Sequence, residues 1–73
     1  MTHMEIATRL LGATEIDPGQ WAYYDDATDC YWVSSTADMV ALGRMVHEGT
    51  PDAYSVWCSE YPASEQPREW SPA

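Results

Sequence analysis

The side chains best able to do chemistry cluster in Asp25-Asp26-Ala27-Thr28-Asp29, three carboxylates within five residues. Clustered carboxylates bind hard cations, but a calcium loop alternates its ligands and closes with a distant bidentate Glu, and this run does neither. Hydrolysis by paired carboxylates needs two acids facing across a sugar-sized cleft, which so short a chain hardly encloses. The other reactive groups are Cys30, Cys58, His3 and His47. The cysteines stand in neither a C-x-x-C nor a Cys/His zinc spacing, and are expected to be buried, inert thiols. His47, at the end of a helix beside Glu48, gains as an imidazolium from the macrodipole. No Gly-rich phosphate loop is present. These residues predict a protein that is not an enzyme, with no catalytic residues, no metal and no cofactor.

What remains is charge. The 73 residues hold twelve Asp and Glu against three Arg (Arg9, Arg44, Arg68) and no Lys, for a net charge of −9. A partner held by such a field is itself basic, which excludes direct binding to a nucleic-acid backbone or an anionic membrane. The acidity also has a plain reading, solubility or a compositional bias, since charge bears on association and not on fold. The apolar residues are unusual in kind: no Phe and three Leu, but four Trp and five Tyr. Indole N–H and phenol O–H need partners, so several of these rings are expected at the surface, where they can anchor a contact. Nine aromatics also argue against disorder. No signal-peptide pattern or membrane-length apolar run is seen, and the expected location is the cytoplasm.

The elements that must position these residues follow from pattern. Thr2 and Glu5 form a capping box, Ile6, Ala7, Leu10 and Leu11 a helical stripe, and Gly12 a stop. Asp17-Pro18-Gly19 is a turn. Trp21–Tyr24 and Cys30–Val33 are short aromatic strands closed into a hairpin by the acidic run, with Trp21, Tyr23, Cys30 and Trp32 alternating against Ala22, Tyr24, Tyr31 and Val33. Ser35 caps a helix from Thr36 to Glu48, in which Gly43 permits close approach to the sheet. Ala53–Glu60 alternates as a third strand, with Tyr54, Val56 and Cys58 opposite Ser55, Trp57 and Ser59. The fold class is thus α+β: one small domain over 1–62, a three-stranded antiparallel sheet of order 2-1-3 with one or two helices packed on it, and a loose Pro-rich tail over 63–73, anchored if anywhere by Trp70. In that order Cys30 and Cys58 cannot bridge; the alternative parallel pairing would let them meet.

Residues two apart on a strand lie about 6.6 Å from one another, close to the phosphate repeat of DNA, so acids at strand ends and turns can imitate a phosphate row. The candidate partner-binding set is Asp25, Asp26 and Asp29 on the hairpin, Asp52 and Glu60 at the ends of the third strand, and Tyr24 and Trp57 as aromatic anchors. In size, acidity and α+β character the chain resembles the small acidic proteins by which phages disarm host nucleic-acid enzymes, among them anti-CRISPR proteins and inhibitors of uracil-DNA glycosylase. Tyr24-Asp25-Asp26-Ala27-Thr28-Asp29 is similar to an acidic hairpin of the glycosylase inhibitor. That family's Glu-Ser strand and leucine-rich pocket have no counterpart here, so no residue role is carried over. The resemblance implies a non-enzymatic inhibitor or DNA mimic that blocks a basic nucleic-acid-binding surface of a host complex, as in counter-defence by phages. The alternative is a small protein-interaction module or homodimeric accessory protein that uses an aromatic face, its acids serving only solubility.

Overall fold

A computed structural model describes residues 1–66. Helix α1 (His3–Leu11) begins where Thr2 and Glu5 satisfy each other's backbone: the Glu5 amide donates to Thr2 Oγ1 at 3.0 Å and the Thr2 amide to Glu5 Oε1 at 3.1 Å. It ends at Gly12, whose left-handed φ of 66° suits a residue without a Cβ. Strand β1 (Thr14–Asp17) and strand β2 (Gln20–Asp25) join through Pro18-Gly19, and β2 turns through residues 26–29 into strand β3 (Cys30–Ser35). Helix α2 (Thr36–His47) follows at once, its N-terminus capped by Ser35 Oγ, which accepts from the Asp38 amide at 3.1 Å. Helix α3 (Ala53–Glu60) and strand β4 (Ser64–Gln66) complete the described chain.

The α+β class and the antiparallel sheet agree with the sequence, but among the described residues the sheet has four strands, not three, in the order β1-β2-β3-β4, and there are three helices, not one or two. The predicted order 2-1-3 fails because 53–60 is a helix, so the outer side of β2 pairs with β1 instead. The residues that alternate with period 2 there, Tyr54, Val56 and Cys58, belong to a run that also carries Tyr54, Trp57, Cys58 and Tyr61 at helical spacing. Short apolar runs fit both periods, and burial of Trp57 decides for the helix. Strand β1 has four residues and a register shift between Glu15 and Asp17, too short and irregular to announce itself. Ser64–Gln66, expected to open a loose tail, pairs with Val33, Trp32 and Tyr31. Trp70 and the rest of that tail lie outside the described residues.

Paired residues on adjacent strands share a face, so Tyr23↔Trp32 and Trp21↔Ser34 look to one side and Tyr24↔Tyr31 and Ala22↔Val33 to the other. The helices cover the first side. Ala7, Tyr23, Met39, Ala41, Leu42 and Trp57 form its buried cluster, with Trp21 and Trp32 packed at the edge. All three indoles among the described residues are satisfied as they pack: Trp21 Nε1 donates to Thr36 Oγ1 at 2.9 Å, Trp57 Nε1 to the Asp38 carbonyl at 2.7 Å and Trp32 Nε1 to Thr28 Oγ1 at 3.1 Å. The cysteines do not bridge. Cys30 is half-buried on β3, the strand expected for it, whereas Cys58 is exposed on α3, which corrects the expectation of a second buried strand thiol. No helix among the described residues is long and apolar enough to cross a membrane.

Gly43 does allow a close approach, but to α1 and not to the sheet. A Cβ at this buried position would sit 1.7 Å from the His3 carbonyl oxygen, a backbone atom that cannot swing aside. The same crossing brings the His3 and His47 rings to 5.5 Å between centroids. Gly43→Ala therefore gains about 1 kcal/mol of helix propensity but must prise α1 off α2, an overpacking cost of roughly 3 kcal/mol or more. The expected outcome is a net destabilisation, read as a lower urea midpoint; an unchanged midpoint would contradict the crossing.

Candidate functional site

The acidic hairpin end is built by its own hydrogen bonds. The half-buried Asp25, last residue of β2, accepts from the Ala27 amide at 3.2 Å through Oδ1 and from Thr28 Oγ1 at 3.1 Å through Oδ2. Trp32 Nε1 donates to that same Thr28 hydroxyl at 3.1 Å, so one relay of bonds runs from the indole to the carboxylate and orients both. Asp29 turns the chain in the left-handed region at φ 55°, and its carboxylate accepts from the Tyr24 hydroxyl. A polar Asp is among the few side chains that tolerate this conformation. The Cys30 thiol donates to the Thr28 carbonyl at 3.3 Å, and Asp26 stands exposed.

The predicted partner-binding set is only partly brought together. Asp25, Asp26, Asp29 and Tyr24 share the hairpin end, but Tyr24 lies on the sheet face away from the helices, its ring edge-on to Tyr31 at 5.2 Å. Asp52 and Glu60 are both exposed, at opposite ends of a helix and not of a strand. Eight residues of helix separate them by about 12 Å along its axis, so the strand-spaced phosphate row does not extend through them. Trp57 is fully buried and cannot anchor a partner. It stands behind two other rings, 5.9 Å from Tyr23 and 6.1 Å from Tyr54.

Those two tyrosines belong to a cavity that the sequence reading missed. Between the helix-facing side of the hairpin and α3 lies a hollow of about 290 Å³, lined by Tyr23, Asp25, Trp32, Tyr54, Cys58 and Tyr61 among others. Tyr54, Cys58 and Tyr61 are spaced i, i+4, i+7, one face of a helix carried just past its end. That spacing was the available signal, and it was hidden by reading the segment with period 2. Burial pushes the Tyr54 phenol above its ordinary value, reinforced by its bond to Cys58 and by the negative charges of Cys58 and Asp25. Burial likewise raises Tyr23, against a smaller opposing effect of its hydrogen bond with Ser34. Both phenols are therefore neutral at physiological pH. Asp25 and Tyr54 also line a second hollow with Leu10, Leu11, Tyr24 and Asp26, so Asp25 borders both.

Four aromatic rings and one carboxylate, with no cationic side chain in the lining, suit a positively charged guest. Among the described residues no three of His, Cys, Asp and Glu are grouped to hold a metal ion.

The raised phenols set a direction for stability against pH. An unfolded Tyr releases its proton near pH 10, whereas folded Tyr54 and Tyr23 hold theirs to higher pH. Their contribution is intact below that value and is lost as pH rises through and beyond it, because the unfolded state then binds fewer protons than the folded one. Thermal unfolding followed from pH 8 to 11 should show stability falling on the alkaline side, and Tyr54→Phe should fall less steeply. Equal slopes for the two proteins would contradict the burial of this phenol.

No protein-family model, no curated protein and no solved structure matches this chain.

Proposed function

We propose that this protein is a non-enzymatic inhibitor that docks on a basic nucleic-acid-binding surface of another protein and occludes it, acting in the cytoplasm in the manner of the phage counter-defence proteins it resembles in type. The observation that carries this reading is the hairpin end, where Asp25, Asp26 and Asp29 stand on one turn beside an aromatic cavity in a chain of net charge −9. Charge draws in a basic partner at long range, and desolvated rings beside the charge convert attraction into affinity. The reading needs neither a second copy of the chain nor a strand-spaced row of acids.

Asp26→Lys with Asp29→Asn shifts the local charge by three units and leaves the Asp25 relay in place, since Asn also tolerates the left-handed turn and can accept from the Tyr24 hydroxyl. Immobilised protein is exposed to a lysate of its natural host at about 0.05 M and about 0.5 M salt, where the screening length falls from above 10 Å to a few Å. The expected outcome is retention of nucleic-acid-binding proteins at low salt only, displaced by excess duplex DNA and lost in the double variant, whose thermal midpoint is unchanged. Retention indifferent to salt, DNA and charge reversal would assign the protein to the other class, an aromatic interaction module with acids for solubility.

A further inference from the structure

We propose that the cavity between β2, β3 and α3 is a receptor for one arginine side chain, presented by the basic partner, whose guanidinium stacks on the aromatic walls and forks onto Asp25. The identity of the arginine's owner rests on the basic-partner reading above; the preference of the cavity for a guanidinium does not.

Size comes first. A hollow of about 290 Å³ lies at the lower end of ligand pockets, with room for one long side chain and too little for a nucleotide or a saccharide chain. Chemistry comes second. Buried Tyr23 and half-buried Trp32, Tyr54 and Tyr61 line it with four rings, the class of side chain that attracts a cation placed over its face. Asp25 supplies the formal charge, and the turn pins it: each of its oxygens already accepts one bond, from Ala27 or from Thr28, and each has a second lone pair to offer. Two oxygens held side by side match the fork of a guanidinium. Anions are excluded by that carboxylate within a field of −9.

Among cations the walls discriminate. An ammonium is compact, strongly hydrated and needs three acceptors, and a largely aromatic lining replaces few of the waters it would lose. A quaternary ammonium suits rings but has no N–H to give the pinned carboxylate. The planar guanidinium is weakly hydrated, stacks on rings and donates in the plane, so it uses both features of the site. Trp57 keeps the rings in place: at 5.9 and 6.1 Å it backs Tyr23 on the sheet and Tyr54 on the helix. The Trp32 indole is held by Thr28, which also bonds Asp25. The site is built before any guest arrives.

The test is a titration of the full chain, followed by amide and indole proton–nitrogen NMR spectra. Three probes are compared: N-acetyl-arginine N-methylamide, its lysine counterpart, and the Nε-trimethyl-lysine counterpart. The expected result is saturable shifts of the Trp32 indole N–H and of the amides of Asp25, Tyr54 and Tyr61, with the Trp21 indole unmoved. The arginine probe should bind at least about threefold tighter than either lysine probe, the scale of an exposed cation–π contact. Tyr61→Ala and, separately, Asp25→Asn should each abolish those shifts; should Asp25→Asn unsettle the turn, Tyr61→Ala, at the cavity edge, still decides. Tighter binding of trimethyl-lysine, shifts that spread over the acidic surface and survive Tyr61→Ala, or no saturable shift would each overturn the proposal. Guanidinium binding without salt-sensitive retention from lysate would overturn the partner reading alone, and retention without guanidinium binding the cavity's role alone.

Discussion

The hydrogen bond from the buried Trp57 indole to the Asp38 carbonyl, at 2.7 Å, is the interaction on which the rest of the molecule depends. Helix α3 has eight residues, begins at a left-handed Asp52 and has no side-chain cap on its first turn. Isolated helices of that length are not stable in water, so this one exists because tertiary contacts hold it. Trp57 is the largest fully buried side chain among the described residues, and it ties α3 to the first turn of α2 while its ring backs Tyr23 on the sheet. Hydrophobic burial drives the contact, at about 25 cal/mol per Å² of apolar surface removed from water, and the indole N–H bond avoids the penalty of a buried unpaired donor. Removing this ring would detach the helix that carries Tyr54 and Cys58, and the cavity would cease to exist.

The acids divide into groups with different work. Glu5 belongs to the α1 capping box, where bonds from the Thr2 backbone and hydroxyl hold its carboxyl below the usual range. Asp38 serves through its backbone, giving its amide to Ser35 and its carbonyl to Trp57. Asp25 is both structural and electrostatic, closing the hairpin while facing an aromatic hollow. Asp26, Asp52 and Glu60 stand exposed and shape the outer field. A uniform negative coat would favour solubility alone; a pinned carboxylate framed by oriented rings gives the charge a place at which to select among cations.

The elements most legible in the sequence were those with local, redundant signals. The capping box at Thr2, the Ser35 cap, the Gly12 stop, the Pro18-Gly19 turn and the face alternation of Tyr23 and Tyr24 all depend on neighbours within a few residues. What failed depended on partners far along the chain. Ala53–Glu60 fits a strand or a helix by pattern, and only the fit of Trp57 against Asp38 and Tyr23 selects the helix. β1 and β4 are short strands whose existence rests on pairing with β2 and β3. The hairpin acids were found because they are contiguous. The cavity was missed because its walls come from residues 23, 32, 54 and 61, and the misread helix removed the last two from view.

What meets the cavity in the bound state decides whether its rings and Asp25 act together on the partner. A photo-crosslinking benzoylphenylalanine in place of Tyr61, at the cavity edge, reports this directly in the full chain, with the same residue at Glu15 on β1 as the distant control. The expected result is a crosslink to an arginine-bearing peptide from the nucleic-acid-binding surface of the partner, suppressed by excess duplex DNA and absent from the control position. A crosslink to an uncharged surface that forms equally well with DNA present would contradict it.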